Sequence, residues 1–554
     1  MSDTTTLSDV ERIKTDSDFL RGTLDKSLRD PITGAIAPDD TQLSKFHGLY
    51  QQDDRDQRSE RSKQKLEPLY SFMLRARVPG GVCTPQQWLG IDALARRYGG
   101  DRLRLTTRQA FQLHGVIKNE LKATIADINA NMMDTIAACG DVNRNVMCTP
   151  LHERSQVHRE ALVWCQRISD LLTPRTRAYH EIWLDGKKLE TPDHEPIYGP
   201  TYLPRKFKTA VAIAPINDVD VLAHDLGFTA IEDNGALAGF NVSVGGGMGA
   251  THGDAATYPR LADVIGFCTP EQVLAVAEHV VTIQRDFGDR SNRKHARLKY
   301  TIEDRGVAWF TTLLEKRTGF ALAPARSVTF KHRGDLLGWF EDAQQKHHLT
   351  LFIPSGRIED RRTQKFLTGL HAIASLNVGE FRITPNQNLI IAGLDAAQRE
   401  KIDTLTQEFG IDLWRQLPPI EQTALACVAL PTCSLAMAEA ERGLPDIVAR
   451  VDRLMQRHGL KDEPLSLRVT GCPNGCARPY VAEIGLIGKA PGRYNLHLGG
   501  DANGTRLNRH LATNLSLEAI EKELDQRFAD FARERQKNET FGDYTHRTQL
   551  ERTP

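Results

Sequence analysis

The sequence predicts an α+β chain of three linked domains behind an N-terminal arm, organised by an internal duplication with pseudo-two-fold symmetry. Three observations carry that reading: a helix–strand unit that occurs twice, alternating polarity in the strands of both copies, and two pairs of cysteines near the C-terminus. At roughly 150 residues per domain, 554 residues leave room for three or four.

The arm comes first, about residues 1–70. Its opening, MSDTTTLSDVERIKTDSDFL, is polar and acidic and lacks the apolar core of a signal peptide. No stretch anywhere approaches the ~20 apolar residues of a membrane span. Lys and Arg (71) balance Asp and Glu (71), so no global field recruits nucleic acid or an anionic membrane. Nine cysteines, an odd number with no secretion signal, argue against a disulfide framework and for a reducing cytoplasm.

The repeated unit begins at Val78 and again at Ile353. Each copy runs apolar-Pro-x-Gly, then a helical pattern, then a strand with Arg-x-Thr near its start (Arg104 to Thr106, Arg382 to Thr384). Duplicated modules of this kind face each other with a ligand between them. Together they define one discontinuous, ferredoxin-like repeat domain, 71–136 and 338–412. In the first copy Leu103, Leu105, Phe111 and Leu113 share a parity opposite Arg104, Thr106, Arg108, Gln112 and His114. In the second, Phe381, Ile383 and Leu389 oppose Arg382, Thr384, Asn386 and Asn388. Alternate residues of a strand share a face. Each copy therefore offers a core face and a face of donors unaccompanied by carboxylates, which favours an anionic ligand.

The middle domain, 137–337, adds more cations. TYLPRKFKTAVAIAP sets Lys206 and Lys208 on one face of a strand; Arg144 lies in DVNRNVMC, and Arg75 in the preceding YSFMLRARVPGG. Two cations 6 Å apart repel by roughly 3 kcal/mol at an effective dielectric near 20, so gathering four calls for an anionic guest. The glycine run VGGGMGA loosely fits a dinucleotide fingerprint, but its sequel THGDAATYPR is not an opening helix. No flavin or NADPH site is expected.

The C-terminal domain, 413–554, holds Cys427 and Cys433, five residues between them, then Cys472 and Cys476, three between them. Cys433 precedes a helical run, where a thiolate is electrostatically favoured. Spacing alone leaves structural zinc and an iron–sulfur cluster both open. The other five cysteines read as small buried apolar residues.

The segments FHGLYQQDDRD, RLTTRQAFQLHG, DVNRNV, YLPRKFKT, GFNVSVGGGMG, FRITPNQNLIIAG, CVALPTCSLAMAEAER, TGCPNGCARP and GKAPGRYNLHLGG resemble the siroheme sulfite and nitrite reductase superfamily, on its NADPH-sulfite reductase hemoprotein branch. The resemblance runs from about residue 20 to 545. It implies the three-domain siroheme reductase fold, with one [4Fe–4S] cluster on Cys427, Cys433, Cys472 and Cys476. It also implies one siroheme, its iron ligated by Cys476, which bridges the two groups. Carried over in the same way, Arg75, Arg144, Lys206 and Lys208 form the catalytic pocket. Siroheme contacts fall on Arg104, Thr106, Arg108, Gln112, His114, Asn143, Arg205, Gly246, Gly247, Arg382, Thr384, Gln387, Asn388 and Asn474. The implied activity is six-electron reduction of sulfite to sulfide in assimilatory sulfate reduction and cysteine biosynthesis. The implied partner is a flavoprotein (alpha) subunit carrying FAD and FMN and oxidising NADPH, in a cytoplasmic hetero-oligomer. Alternatives are a ferredoxin-dependent sulfite or nitrite reductase and, from another class, a zinc-stabilised binding module without redox chemistry. Ala477, where relatives often have Gly, and the tail THRTQLERTP depart from the pattern.

Overall fold

The computed structural model describes residues 7–176, 183–184, 187–188 and 194–551. Four five-stranded sheets dominate it.

The duplication is visible as a reciprocal exchange of strands. In the first repeat's sheet the order is Leu49–Asp53, Tyr70–Ala76, Phe111–Val116, Leu103–Leu105 and, from the second repeat, Arg357–Ile358. The second repeat's sheet runs Gly338–Glu341, His347–Leu351, Leu389–Leu394, Glu380–Ile383 and, from the first repeat, Val82–Cys83. Antiparallel pairing sets Ile358 against Leu103 and Cys83 against Phe381. The apolar-Pro-x-Gly motif makes each exchange possible. Gly81 and Gly356 both have left-handed φ (+78° and +70°), and a Cβ on either would collide with the other repeat's backbone, at the Ile383 and Leu105 carbonyls respectively. The same two carbonyls accept from Gln109 (3.0 Å) and Gln387 (3.4 Å). Helices Pro85–Tyr98, closed by a Thr84–Gln87 capping box, and Phe366–Ser375 pack over both sheets. Trp88 touches Phe111 and Phe381, 5.6 and 5.0 Å between ring centroids, so the two halves share one core.

The arm is woven into this body. Leu49–Asp53 is an edge strand of the first repeat's sheet, and the buried Lys14 ammonium reaches Glu11, the Leu203 carbonyl (2.7 Å) and Asp141 (3.7 Å) of the middle domain. The middle sheet is mixed, ordered Asp263–Cys268, Ala236–Val244, Leu226–Asp233, Thr209–Ile213, Met147–Cys148. Thr209–Ile213 is buried at every position, as expected of an inner strand covered on both faces. The last sheet begins with Leu425–Ala426 running parallel to Leu467–Thr470, so the chain leaves both strands at one end, toward Cys427 and Cys472. No helix among the described residues is long and apolar enough to cross a membrane.

The junction between middle domain and second repeat contains an unpaired acid. Asp218 accepts from Thr149 Oγ1 (2.7 Å) and stands near Asp335. Burial, with the neighbouring carboxylate adding to it, pushes Asp218 from 3.8 up to about 7. The folded state therefore holds this proton where the unfolded chain has lost it. Stability falls as pH rises from about 4 to about 7 and is flat above, by about 1 kcal/mol per pH unit in that window. Asp218→Asn keeps the acceptor and removes the titration. Its melting temperature relative to wild type is expected to improve between pH 5 and pH 8; a constant offset would contradict the assignment.

Candidate active site

The two cysteine pairs converge because two parallel strands end side by side. The Cys427 amide donates to the Val469 carbonyl (3.3 Å), the Gly471 amide to Cys427 Sγ (3.3 Å), and Asn474 Nδ2 to Cys472 Sγ (3.5 Å). Burial, then the adjoining Cys476, raises the Cys427 and Cys433 thiols and pushes Cys472 up to about 11. Thiols in such surroundings ionise when a cation takes the place of the proton. Among the described residues, no group of three or more His, Cys, Asp or Glu side chains is placed to hold a single metal ion.

Cys476 occupies the middle position. It is exposed, and it lies within electrostatic reach of the other three thiols and of Lys206 and Lys208. Thr107 Oγ1 donates to its carbonyl (3.2 Å), tying the turn to the first repeat.

Around it stand Arg75, Arg108, Arg144, Arg205, Lys206 and Lys208, none of them in an ion pair with a carboxylate among the described residues, and Arg297, which is paired with Asp225 (2.8 Å). Arg75 donates to the Ala138 carbonyl (3.3 Å), and its buried Nε has no partner among the described residues. Arg144 donates to the carbonyls of Gly140 (2.9 Å) and Ala138 (3.3 Å), and its own amide to the Phe207 carbonyl (2.9 Å), joining DVNRNV to the lysine strand. Arg108 reaches the Asn145 and Thr209 carbonyls and His224 Nδ1 (2.9 Å). Burial, followed by Arg205, brings Lys206 down to about 7; burial, Arg108 and Lys206 hold Lys208 well below its usual range. Arg205, lowered to about 10 by burial and Arg293, lines with Lys206, Gly249, Asn474 and Arg297 a cavity of about 260 Å³.

The remaining residues singled out in the sequence divide into two groups. His114 Nδ1 donates to Gln52 Oε1 (3.1 Å), while its buried Nε2 has no partner among the described residues. Arg104, expected to stand free, is paired with Glu441 (2.9 Å), a carboxylate shared with Arg357, and also reaches Gln112 (3.4 Å) and the Ala426 carbonyl (3.3 Å) beside Cys427. Thr106 closes its own turn, accepting from the amides of Arg108 and Ala110 (both 3.2 Å). Asn143 Oδ1 accepts from Thr209.

The second repeat corrects the expectation of donors without carboxylates. Arg382 is bound by Glu153 and Glu380 (2.5 Å), and Thr384, Asn386 and Asn388 all donate to Asp335 (2.6 to 2.9 Å). Gln387 bonds the backbone of Leu105 and Ser355. The duplication is thus symmetric in backbone and asymmetric in charge. The first repeat donates to the cysteine loops, Arg104 to the Ala426 carbonyl and Thr107 to that of Cys476.

The glycine run lies against the Cys472–Cys476 turn, the Ala250 amide donating to the Pro473 carbonyl (2.9 Å). Gly246 is glycine because a Cβ would collide with the Leu222 carbonyl, and at Gly247 it would press on Arg297 (3.0 Å). At Gly249 a Cβ would meet only the Asn474 carbonyl, 3.5 Å away, so open space faces the cavity. Sequence reasoning missed Lys299. This buried lysine donates to the carbonyls of Gly247 (3.2 Å), Gly249 (2.7 Å) and Tyr258, and its ammonium lies 4.7 Å from the Tyr300 ring centre. The signal was present in SNRKHARLKY, where Arg293, Arg297 and Lys299 alternate.

A polyanionic group fits these observations: an orphaned donor on Arg75, lysines that pair with no carboxylate among the described residues, and open space at Gly249. Comparison with known proteins agrees. The description "Nitrite/Sulfite reductase ferredoxin-like half domain" matches residues 64–131 and 341–409, which are the two repeats. "Nitrite and sulphite reductase 4Fe-4S domain" matches 164–322, the segment with Lys206, Lys208 and the glycine run rather than the paired cysteines. The sulfite reductase [NADPH] hemoprotein beta-component of Myxococcus xanthus is 62% identical over 528 residues, covering 95% of this chain and 94% of the relative. The same component of Geobacillus kaustophilus is 54% identical over 532 residues, covering 95% and 93%. The solved structure of Mycobacterium tuberculosis NirA protein superposes with a TM-score of 0.80 at 23% identity, covering 98% and 96%, and so shares the fold.

Proposed function

The chain belongs to the NADPH-sulfite reductase hemoprotein beta-component family, and from that premise we propose that sulfite is bound and protonated beside Lys206, in the cavity that this lysine and Asn474 line. The observation that carries this reading is the place of Cys476, in electrostatic reach of three thiols and of two lysines that pair with no carboxylate among the described residues.

The activity is the six-electron reduction of sulfite to sulfide, with one siroheme and one [4Fe–4S] cluster. When bound, a tetrapyrrole iron and a cluster sharing one thiolate supply electrons as a single redox unit. Cys427, Cys433, Cys472 and Cys476 would hold the cluster, and Cys476 would be the shared ligand. Arg108, His114, Arg205 and the open backbone at Gly249 would receive the macrocycle and its carboxylates. Arg75, Arg144, Lys206 and Lys208 would bind the oxygens of a dianionic substrate, and the lysines would deliver protons as those oxygens leave as water. Cations fixed before substrate arrives stabilise developing charge without reorganisation. Arg104, Arg382, Thr384, Gln387 and Asn388 have partners within the chain and act as braces.

The sequence offers no nucleotide site of its own, so the electrons come from another protein; the beta-component names of the relatives support a flavoprotein alpha subunit that oxidises NADPH. The test is to make the full chain in cells that synthesise siroheme. Expected are a visible spectrum with both siroheme and cluster absorbance, more iron than acid-labile sulfide, and sulfite turnover exceeding nitrite turnover. A colourless, iron-free protein from such cells would overturn the reading.

A further inference from the structure

FHGLYQQDDRD contains a cation that neither the cavity nor the duplication accounts for. Arg55 follows the edge strand Leu49–Asp53 and reaches across to the loop bearing Cys433. Its Nη1 donates to the carbonyls of Cys433 (3.0 Å) and Ala436 (2.5 Å), and its own amide to the Pro431 carbonyl (3.3 Å). One residue thus grips the loop before, at and after the cysteine. On the other side of the same loop, Asp56 accepts from Arg442 (2.6 Å).

The loop needs such a grip. Residues 427–436 contain no helix or strand beyond the two-residue Leu425–Ala426 that precedes them, Cys433 is half-buried, and Leu435 is 63% exposed. Internal support is limited to short turns, Cys433 N to the Ala429 carbonyl (2.9 Å) and Ala436 N to the Cys433 carbonyl (3.2 Å). Displacing the loop therefore displaces the Cys433 backbone that Arg55 holds, and with it the sulfur. Hydrogen bonds to cluster sulfurs and nearby charge set a cluster's potential, and partners behind the ligands hold them in place.

We infer that Arg55 is a positioning residue: it fixes the Cys433 loop around the cluster and holds a positive charge beside it, which makes the N-terminal arm part of the redox centre. This rests on Cys433 being a cluster ligand.

The test uses the full-length holoprotein. Arg55→Ala is expected to keep its siroheme band while its cluster midpoint potential moves negative and a chelator strips its iron several-fold faster than from wild type. Arg55→Lys restores charge without the arginine fork, so its potential returns toward wild type while iron loss stays faster. Wild-type potential and wild-type chelator resistance in Arg55→Ala would overturn the inference. Should Arg55→Ala fail to fold, the lysine variant decides: wild-type chelator resistance overturns the inference, several-fold faster iron loss supports it. A wild-type chain that assembles no cluster would instead overturn the cofactor reading, a different result on a different sample.

Discussion

Cys476→Ser is expected to abolish sulfite reduction, by at least a thousand-fold, while leaving the polypeptide folded. The fold survives because the Cys476 side chain is exposed and fills no part of the core; the carbonyl that Thr107 holds is untouched by the substitution. On the proposed reading chemistry is lost because a serine hydroxyl would be a hard, weakly acidic ligand in place of the soft thiolate that would be shared by the cluster and siroheme. Loss of a shared ligand uncouples electron delivery from substrate reduction, and a reaction needing several electrons at one sulfur stalls when they cannot be supplied in succession. The measurement is a set of three: melting temperature, visible spectrum and sulfide production. Melting near the wild-type temperature with disturbed siroheme absorbance and no sulfide is the expected pattern. Normal absorbance from both groups together with normal turnover would remove Cys476 from its bridging role.

How much of this was legible beforehand depends on the distance in sequence between cause and effect. The cysteine spacing, the paired lysines and the apolar-Pro-x-Gly repeats are local patterns, and each reports something local: a turn, a face, a tight start to a strand. The strand exchange between repeats was not legible, because the reason for Gly81 is the carbonyl of Ile383 and the reason for Gly356 is that of Leu105. Charge assignments failed for the same reason. Asn388 looked free of carboxylates, yet Asp335 reaches it from elsewhere in the chain, and Arg382 is held by distant Glu153 as well as by Glu380, two residues before it. Arg104 likewise meets Glu441 only through folding. Parity identifies which side chains share a face; it is silent on what covers that face. Lys299 escaped because the glycine run was judged by the helix that should have followed it, and the carbonyls this lysine gathers carry no signature of their own.

Lys206→Ala is expected to reduce sulfite turnover at least tenfold, about 1.4 kcal/mol of transition-state stabilisation or more, with siroheme and cluster absorbance intact. The lysine lines the cavity beside Asn474 and Gly249, pairs with no carboxylate among the described residues, and pays for its burial with a titration lowered to about 7. A cation held so near neutrality can give up a proton readily, which a purely structural lysine, fully charged at pH 7, cannot. Protonated Lys206 attracts the dianion; the same proton is then available as an oxygen departs. The sign of the pH effect follows. The ammonium is present below its titration and lost above it, so wild-type turnover should decline as pH rises on the alkaline side, and bound anionic carboxylates move that decline upward. In Lys206→Ala this limb should flatten, because the group responsible is gone. Lys206→Arg separates the two roles, since arginine keeps the charge but does not release its proton at any relevant pH. It should retain sulfite affinity and still lose turnover. An arginine variant as fast as wild type would reduce Lys206 to an electrostatic anchor, and an alanine variant as fast as wild type would remove it from the site.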